Sequence, residues 1–211
     1  MKSAEAQRIN KVLKMLAQFE RGLFEFYSTA MDHYGSGSEF LVQIIQDEVL
    51  HAENVTQMAD RLVTNPDKFE KGRPLNVSSI SSALAGLKNN QQRLEKGDLT
   101  AREILSTARD MEVWLLGVKY PEIVRTKDVE YQTLVREIVG QTEEHKKLLG
   151  RKLQEVGRPK SSRVVSSGLT AAIKMEGIAD RETGKDMDDL RNVLSEMIAD
   201  FPALADIAPA H

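Results

Sequence analysis

Cysteine is absent from this 211-residue chain. That absence excludes disulfides, thiolate-bound zinc, and iron–sulfur or rubredoxin-type centres. Aromatic residues make up only 5% of the sequence, with a single tryptophan and six prolines. Such a composition suits a helical protein better than a β-sandwich. No stretch approaches the run of about 18 apolar residues that crosses a bilayer, so no membrane association is expected. The Met1–Lys14 segment is polar and mixed in charge, without the apolar region of a secretory signal, and a cytoplasmic location is the expectation. Neither sign of charge dominates: the net charge is −3 and the pI is near 5.9, which does not suggest a nucleic-acid binder.

Hydrophobic residues account for 41% of the chain, enough for a packed core, and much of that content falls at helical spacing. Leu13, Leu16, Leu23, Tyr27, Ala30 and Tyr34 share one face of a helix expected from about Glu5 to Tyr34. Gly35-Ser36-Gly37 breaks it, and Ser36 with Glu39 forms the pattern of a capping box. The next helix carries Leu41, Ile44, Val55, Met58 and Leu62 inward and fades near Val63. Thr64–Val77, with Pro66, Gly72 and Pro74, reads as a loop. A shorter amphipathic segment with Ile80, Leu84, Leu87 and Leu94 follows, closed by Gly97. Thr100 and Glu103 form a second capping box. The helix they open places Leu105, Ala108 and Leu115 on one face, until Pro121 kinks or ends it. A further helix is expected from about Asp128 to Val156, with Val135, Ile138, Thr142 and Leu149 inward.

Polar residues interrupt these apolar faces at specific points. Glu20 stands in the seam of the first helix, Glu48 and His51 in that of the second, Glu112 in the third and His145 in the fourth. Glu48 and His51 are i and i+3, side by side on a helix. A carboxylate or imidazole in a core seam is costly without a partner, and a metal ion is the usual partner for such a pair. The competing reading is a polar core satisfied internally. Glu112 also has a rival inward face in Ile104, Met111 and Val118. Each half of the chain thus offers a carboxylate on one helix and a histidine on the next, a weak internal repeat.

These residues give the chain a resemblance to the ferritin-like superfamily and, within it, the rubrerythrin-like branch. The resemblance rests on Glu20 with Tyr27 a heptad later, Glu48-Val49-Leu50-His51, the run Ala108–Glu112, and His145. It covers roughly Ala6 to Val156. It implies an all-α, antiparallel four-helix bundle over residues 1–157, with a long crossover between the second and third of its helices. It also implies a non-haem centre of two irons, sometimes two manganese ions; with only three carboxylates facing inward, a single metal held by Glu20, Glu48, His51 and Glu112 is the alternative, and the mixed donor set also admits zinc. Glu20, Glu48, His51, Glu112 and His145 match the family's ligand positions. Members of the family act on peroxide or oxygen, oxidise or store iron, or serve as oxygenases.

The chain departs from the family's pattern in two ways. It lacks the cysteine-bound rubredoxin domain, so electrons would have to come from an external donor protein. The family also expects Glu three residues before each histidine, and Thr142 holds that position before His145. Glu144 is a candidate sixth ligand only through a local register change such as a π-bulge; otherwise it lies on a solvated flank. Tyr27 is a candidate outer partner of the site.

The expected function is an oxidoreductase acting on a small-molecule oxidant, working as a homodimer or larger homo-oligomer. The alternatives are an iron-handling ferroxidase or store, and a bundle that has lost catalysis and serves as a binding module. Residues 158–211 are expected to form a serine-rich link followed by an acidic amphipathic helix over Asp186–Phe201, an addition to the bundle.

Overall fold

Several helix ends among the described residues have a local cause in the sequence. A computed structural model describes residues 1–34 and 38–157, within one compact unit spanning Met1–Lys160. The described residues are almost wholly helical: α1 (Ser3–Tyr34), α2 (Phe40–Thr64), α3 (Val77–Glu95), α4 (Ala101–Val118), the short α5 (Tyr120–Ile123) and α6 (Val129–Gly157). Ser36 and the helix expected over Asp186–Phe201 lie outside the described residues.

At the start of α3 the Asn76 side chain accepts from the backbone N–H groups of Ser78 and Ser79. Gly97 follows α3 with φ of 74°, a left-handed conformation that glycine adopts without steric cost. At α4 the predicted capping box is present in both directions. The Glu103 N–H donates to the Thr100 hydroxyl, and Glu103 accepts from the Thr100 N–H. Asp128 accepts from the Tyr131 N–H at the start of α6 and holds Arg61 of α2 through both carboxylate oxygens.

Pro121 does not itself end the long helix. α4 stops at Val118, Lys119 takes a left-handed conformation (φ 57°), and the proline sits within the first turn of α5, where its missing N–H costs nothing. The Thr64–Val77 segment also holds more order than a loop. A 3-10 turn (Pro66–Lys68) leads into β1 (Phe69–Lys71), which pairs antiparallel with β2 (Val124–Thr126). The reason is packing: Phe69 is buried with its ring 5.2 Å from that of Tyr131, edge on. A three-residue strand is too short to leave a period in the sequence.

α1 packs along α2 and also against α3; α4 packs along α6, and α2 meets α6. Phe19 of α1 stacks on Trp114 of α4, with ring centroids 4.6 Å apart. Side chains such as Leu16, Leu23, Ile44, Val55 and Ile138 are fully enclosed. Each contributes roughly 1.5–3 kcal/mol by leaving water. α2 and α4 are buried on more than one face: Ile104, Met111 and Val118 are enclosed along with Glu112. The two inward faces that compete in the α4 sequence are both real.

Candidate metal centre

Four helices aim five metal-type side chains at one another. Glu20 comes from α1, Glu48 and His51 from α2, Glu112 from α4 and His145 from α6, and all are buried. They form two triads, Glu20–Glu48–His51 and Glu48–Glu112–His145. Within each triad one ligand atom per residue lies within 4.8 Å of the others. Glu48 belongs to both. Its Oε2 is 3.5 Å from His51 Nδ1, and its Oε1 is 3.1 Å from His145 Nδ1. Glu20 Oε2 lies 4.0 Å from His51 Nδ1, and Glu112 Oε1 lies 3.5 Å from His145 Nδ1. The two imidazole centroids are 5.6 Å apart.

The outer edges of the rings determine what their inner edges can do. His51 Nε2 is 3.0 Å from Gln141 Oε1, and the Gln141 amide N–H donates to Asp47 Oδ1 at 3.0 Å. A carboxylate needs a donor, so the amide nitrogen must face Asp47 and its oxygen must face His51. His51 therefore donates from Nε2. His145 Nε2 likewise donates to Asp47 Oδ2 at 3.0 Å. With both Nε2 atoms carrying hydrogen, each neutral ring turns an Nδ1 lone pair toward the carboxylates.

Lone pairs facing carboxylates need a cation between them. Six buried atoms at this centre have no hydrogen-bond partner: Glu20 Oε2, both Glu48 oxygens, Glu112 Oε2 and both Nδ1 atoms. Each unsatisfied buried group costs about 1–3 kcal/mol, and more when charged. Without a metal, protons must fill the role. Burial opposes a charged His51, but Glu48 and Glu20 outweigh it and hold the ring at about 9. Burial opposes a charged His145 too, and Asp47, Glu112 and Glu48 push it up to about 12. Burial works against the Glu48 charge as well, yet His51 and His145 bring that carboxyl down to about 2. Burial, and then the nearby Glu48 charge, raise Glu20 and Glu112. These orphaned oxygens and nitrogens, converging in pairs on Glu48, fit metal ions.

Two phenols complete the surroundings. Tyr27 donates to Glu112 Oε1 at 2.5 Å, and Tyr120 donates to Glu20 Oε1 at 2.8 Å. Burial and the adjacent carboxylate raise both hydroxyls well above their ordinary range, so they remain donors.

Glu144 requires a correction as a candidate ligand. It is exposed and paired with Lys147 Nζ at 2.7 Å. α6 runs through it as unbroken α-helix with no π-bulge, so the residue points away from His145. Thr142, three residues before His145, is buried, its hydroxyl donating to the Ile138 carbonyl. Glu143, the other nearby acid, pairs with Lys146. His33 is exposed and stands apart from the centre. Lys146, Lys147 and Lys152 of α6 each meet a Glu three residues away.

Asp47, Gln141 and Tyr120 escaped the sequence reading. Asp47 and Gln141 lie off the apolar seams used to find the others. The available signals were the Asp47-Glu48 pair on a helix buried on two faces, and Gln141 four residues before His145. Tyr120 lies beyond the end of α4, where helical periodicity says nothing. Compared with protein-family models, curated proteins and solved structures, the chain matches none.

Proposed function

We propose that this chain is a ferritin-like, rubrerythrin-type four-helix bundle, formed by α1, α2, α4 and α6 with α3 in the crossover. In this reading it holds two metal ions and acts as an oxidoreductase on peroxide or oxygen. The observation that carries it is Glu48, whose two oxygens face two different histidines. A carboxylate so placed would offer one oxygen to each of two metal positions. Glu20 and His51 complete one position, and Glu112 and His145 complete the other. The oxygen-rich mixed donor set favours iron or manganese, with zinc as the redox-inactive competitor. Iron or manganese held there would supply the two electrons that reducing an oxygen–oxygen bond takes, one from each ion, with an external donor protein restoring them.

The protein's own part is to hold, charge and enclose the centre. Tyr27 and Tyr120 fix the terminal carboxylates, while Gln141 and Asp47 fix the rings. Leu16 and Leu23 of α1, Ile44 of α2 and Ile138 of α6 are fully enclosed, and their apolar bulk keeps bulk water from the core. Thr142 favours a second reading. A ligand position filled by a hydroxyl bound to its own helix is what a bundle retaining metal for structure alone would have.

Metal analysis of protein purified without chelators, followed by anaerobic ferrous titration, tests the first reading. Two ions per chain are expected, with peroxide consumed by the reduced form. Absence of iron, manganese and zinc, with no ferrous uptake, overturns the metal centre. Two ions without any peroxide or oxygen turnover favours the structural reading.

A further inference from the structure

Within the ligands themselves the two triads are chemically matched. Each has the shared Glu48, one histidine through Nδ1, and one terminal glutamate that accepts a tyrosine hydroxyl. They differ in what stands behind the imidazole. His145 Nε2–H donates straight to the Asp47 carboxylate, whereas His51 Nε2–H donates to the neutral amide oxygen of Gln141. That amide in turn donates to the same Asp47. Gln43 also donates to Asp47 Oδ1, so both carboxylate oxygens are anchored. One acidic side chain on α2 thus sits behind both rings, in direct contact with one and through a dipole with the other.

We infer that Asp47 is a positioning residue that makes the two metal positions unequal, with the Glu48–Glu112–His145 position the tighter of the two. The inference rests on the proposed metal centre. A negative charge on the far side of an imidazole raises the basicity of its inner nitrogen and locks the ring's tautomer and orientation. An amide relay supplies the orientation with far less of the charge. The shorter phenol contact on Glu112 works the other way, but it is a neutral donor set against a full charge. Asp47 also answers the charge deficit left by Thr142. Two divalent ions want about four negative charges, and only three carboxylates face them. Asp47 places the fourth one imidazole away.

The test is a titration of the full-length, metal-free protein with Co(II), following its visible absorption and calorimetric heat. Wild type should show two steps of unequal affinity. Glu112→Gln should remove the tighter step and Glu20→Gln the weaker, which assigns them. Asp47→Asn should weaken the tight step by ten- to a hundredfold and bring the two steps together. Gln141→Leu cuts the relay to His51 while Gln43 still holds Asp47 Oδ1, and it should weaken the weak step and largely spare the tight one. The exchangeable imidazole N–H resonances of the Co(II) form should shift most for His145, which contacts Asp47 directly, in Asp47→Asn, and most for His51 in Gln141→Leu, a ring-by-ring response that general loosening would not produce. No Co(II) uptake by wild type overturns the metal centre and this inference together. Two equal steps in wild type, or two unequal steps that Asp47→Asn leaves unchanged or weakens equally, overturn this inference alone.

Discussion

The hydroxyl of Tyr120 donates to Oε1 of Glu20 across 2.8 Å, joining residues 100 positions apart in the chain. Tyr27 makes the mirror contact to Glu112, 85 positions away. Each phenol serves a different triad, so their loss should be separable. Tyr120→Phe is expected to destabilise the metal-free protein by about 1–3 kcal/mol, since it leaves one more buried oxygen without a donor. Its metal deficit should fall on the His51 half, and that of Tyr27→Phe on the His145 half. Urea unfolding and metal titration of the two variants check this; unchanged midpoints would contradict it.

Protons would compete with a bound metal for the same nitrogens. Metal-free His51 sits at about 9 and His145 at about 12, against an ordinary 6.5. Both are raised, so the folded chain holds these protons more tightly than the unfolded chain does. The stabilisation is complete below pH 6.5 and is lost as pH climbs through 9 for His51 and 12 for His145. Raised Glu20 and Glu112 act in the same direction from the carboxylate range upward. Glu48, depressed to about 2, acts oppositely and loses its contribution only as pH falls toward that value. The metal-free protein should therefore unfold more easily at pH 9 than at pH 6.5. Metal uptake at pH 7 should release protons, and fewer of them above pH 9. Calorimetry in two buffers of different ionisation heat reads the release; a flat stability profile from pH 6.5 to 9 would count against the assignment.

Thr142 and Glu144 make opposite predictions. Glu144→Gln should leave unfolding and metal uptake unchanged, because the side chain is exposed and bound to Lys147. Thr142→Glu should place a fourth carboxylate beside His145. Metal-free protein should then lose stability on the order of several kcal/mol, the cost of one more buried charge, while metal affinity rises. Loss of metal affinity in the Glu144 variant would restore that residue to the site.

Gly72 is where the strand pair closes. A Cβ there would lie 2.2 Å from the Glu122 carbonyl oxygen and 2.7 Å from that of Ile123, both backbone atoms. Gly72→Ala should cost at least the roughly 1–3 kcal/mol of an overpacked core. Gly22 faces only the end of the Leu87 side chain at 2.6 Å. In Gly22→Ala the gain in helix propensity of about 1 kcal/mol offsets the adjustment. Thermal unfolding should separate the two variants clearly.

Much of the centre was legible because burying a charge is costly. Glu20, Glu48, His51, Glu112 and His145 each break an apolar helical face, and a break of that kind marks a residue enclosed for a reason. All five are buried and converge. The Thr100–Glu103 capping box was legible for a similar cause, since its chemistry is complete within four residues. Asp47 and Gln141 were not, because they lie off the seam and become inward only when a second helix covers their face. Glu144 was placed by analogy with a spacing, and the register of α6 decides against it.

Helical phase along each segment is a local property, and it alone established the long helices and the five residues that interrupt their apolar sides. Which triad a residue joins, that Glu48 serves two histidines, and that Asp47 stands behind both rings depend on how α2 meets α6 and how α1 and α4 close around them. Those are contacts between residues 85 to 100 positions apart. No local pattern encodes them, because the free energy that selects them comes from the packing of whole helix faces.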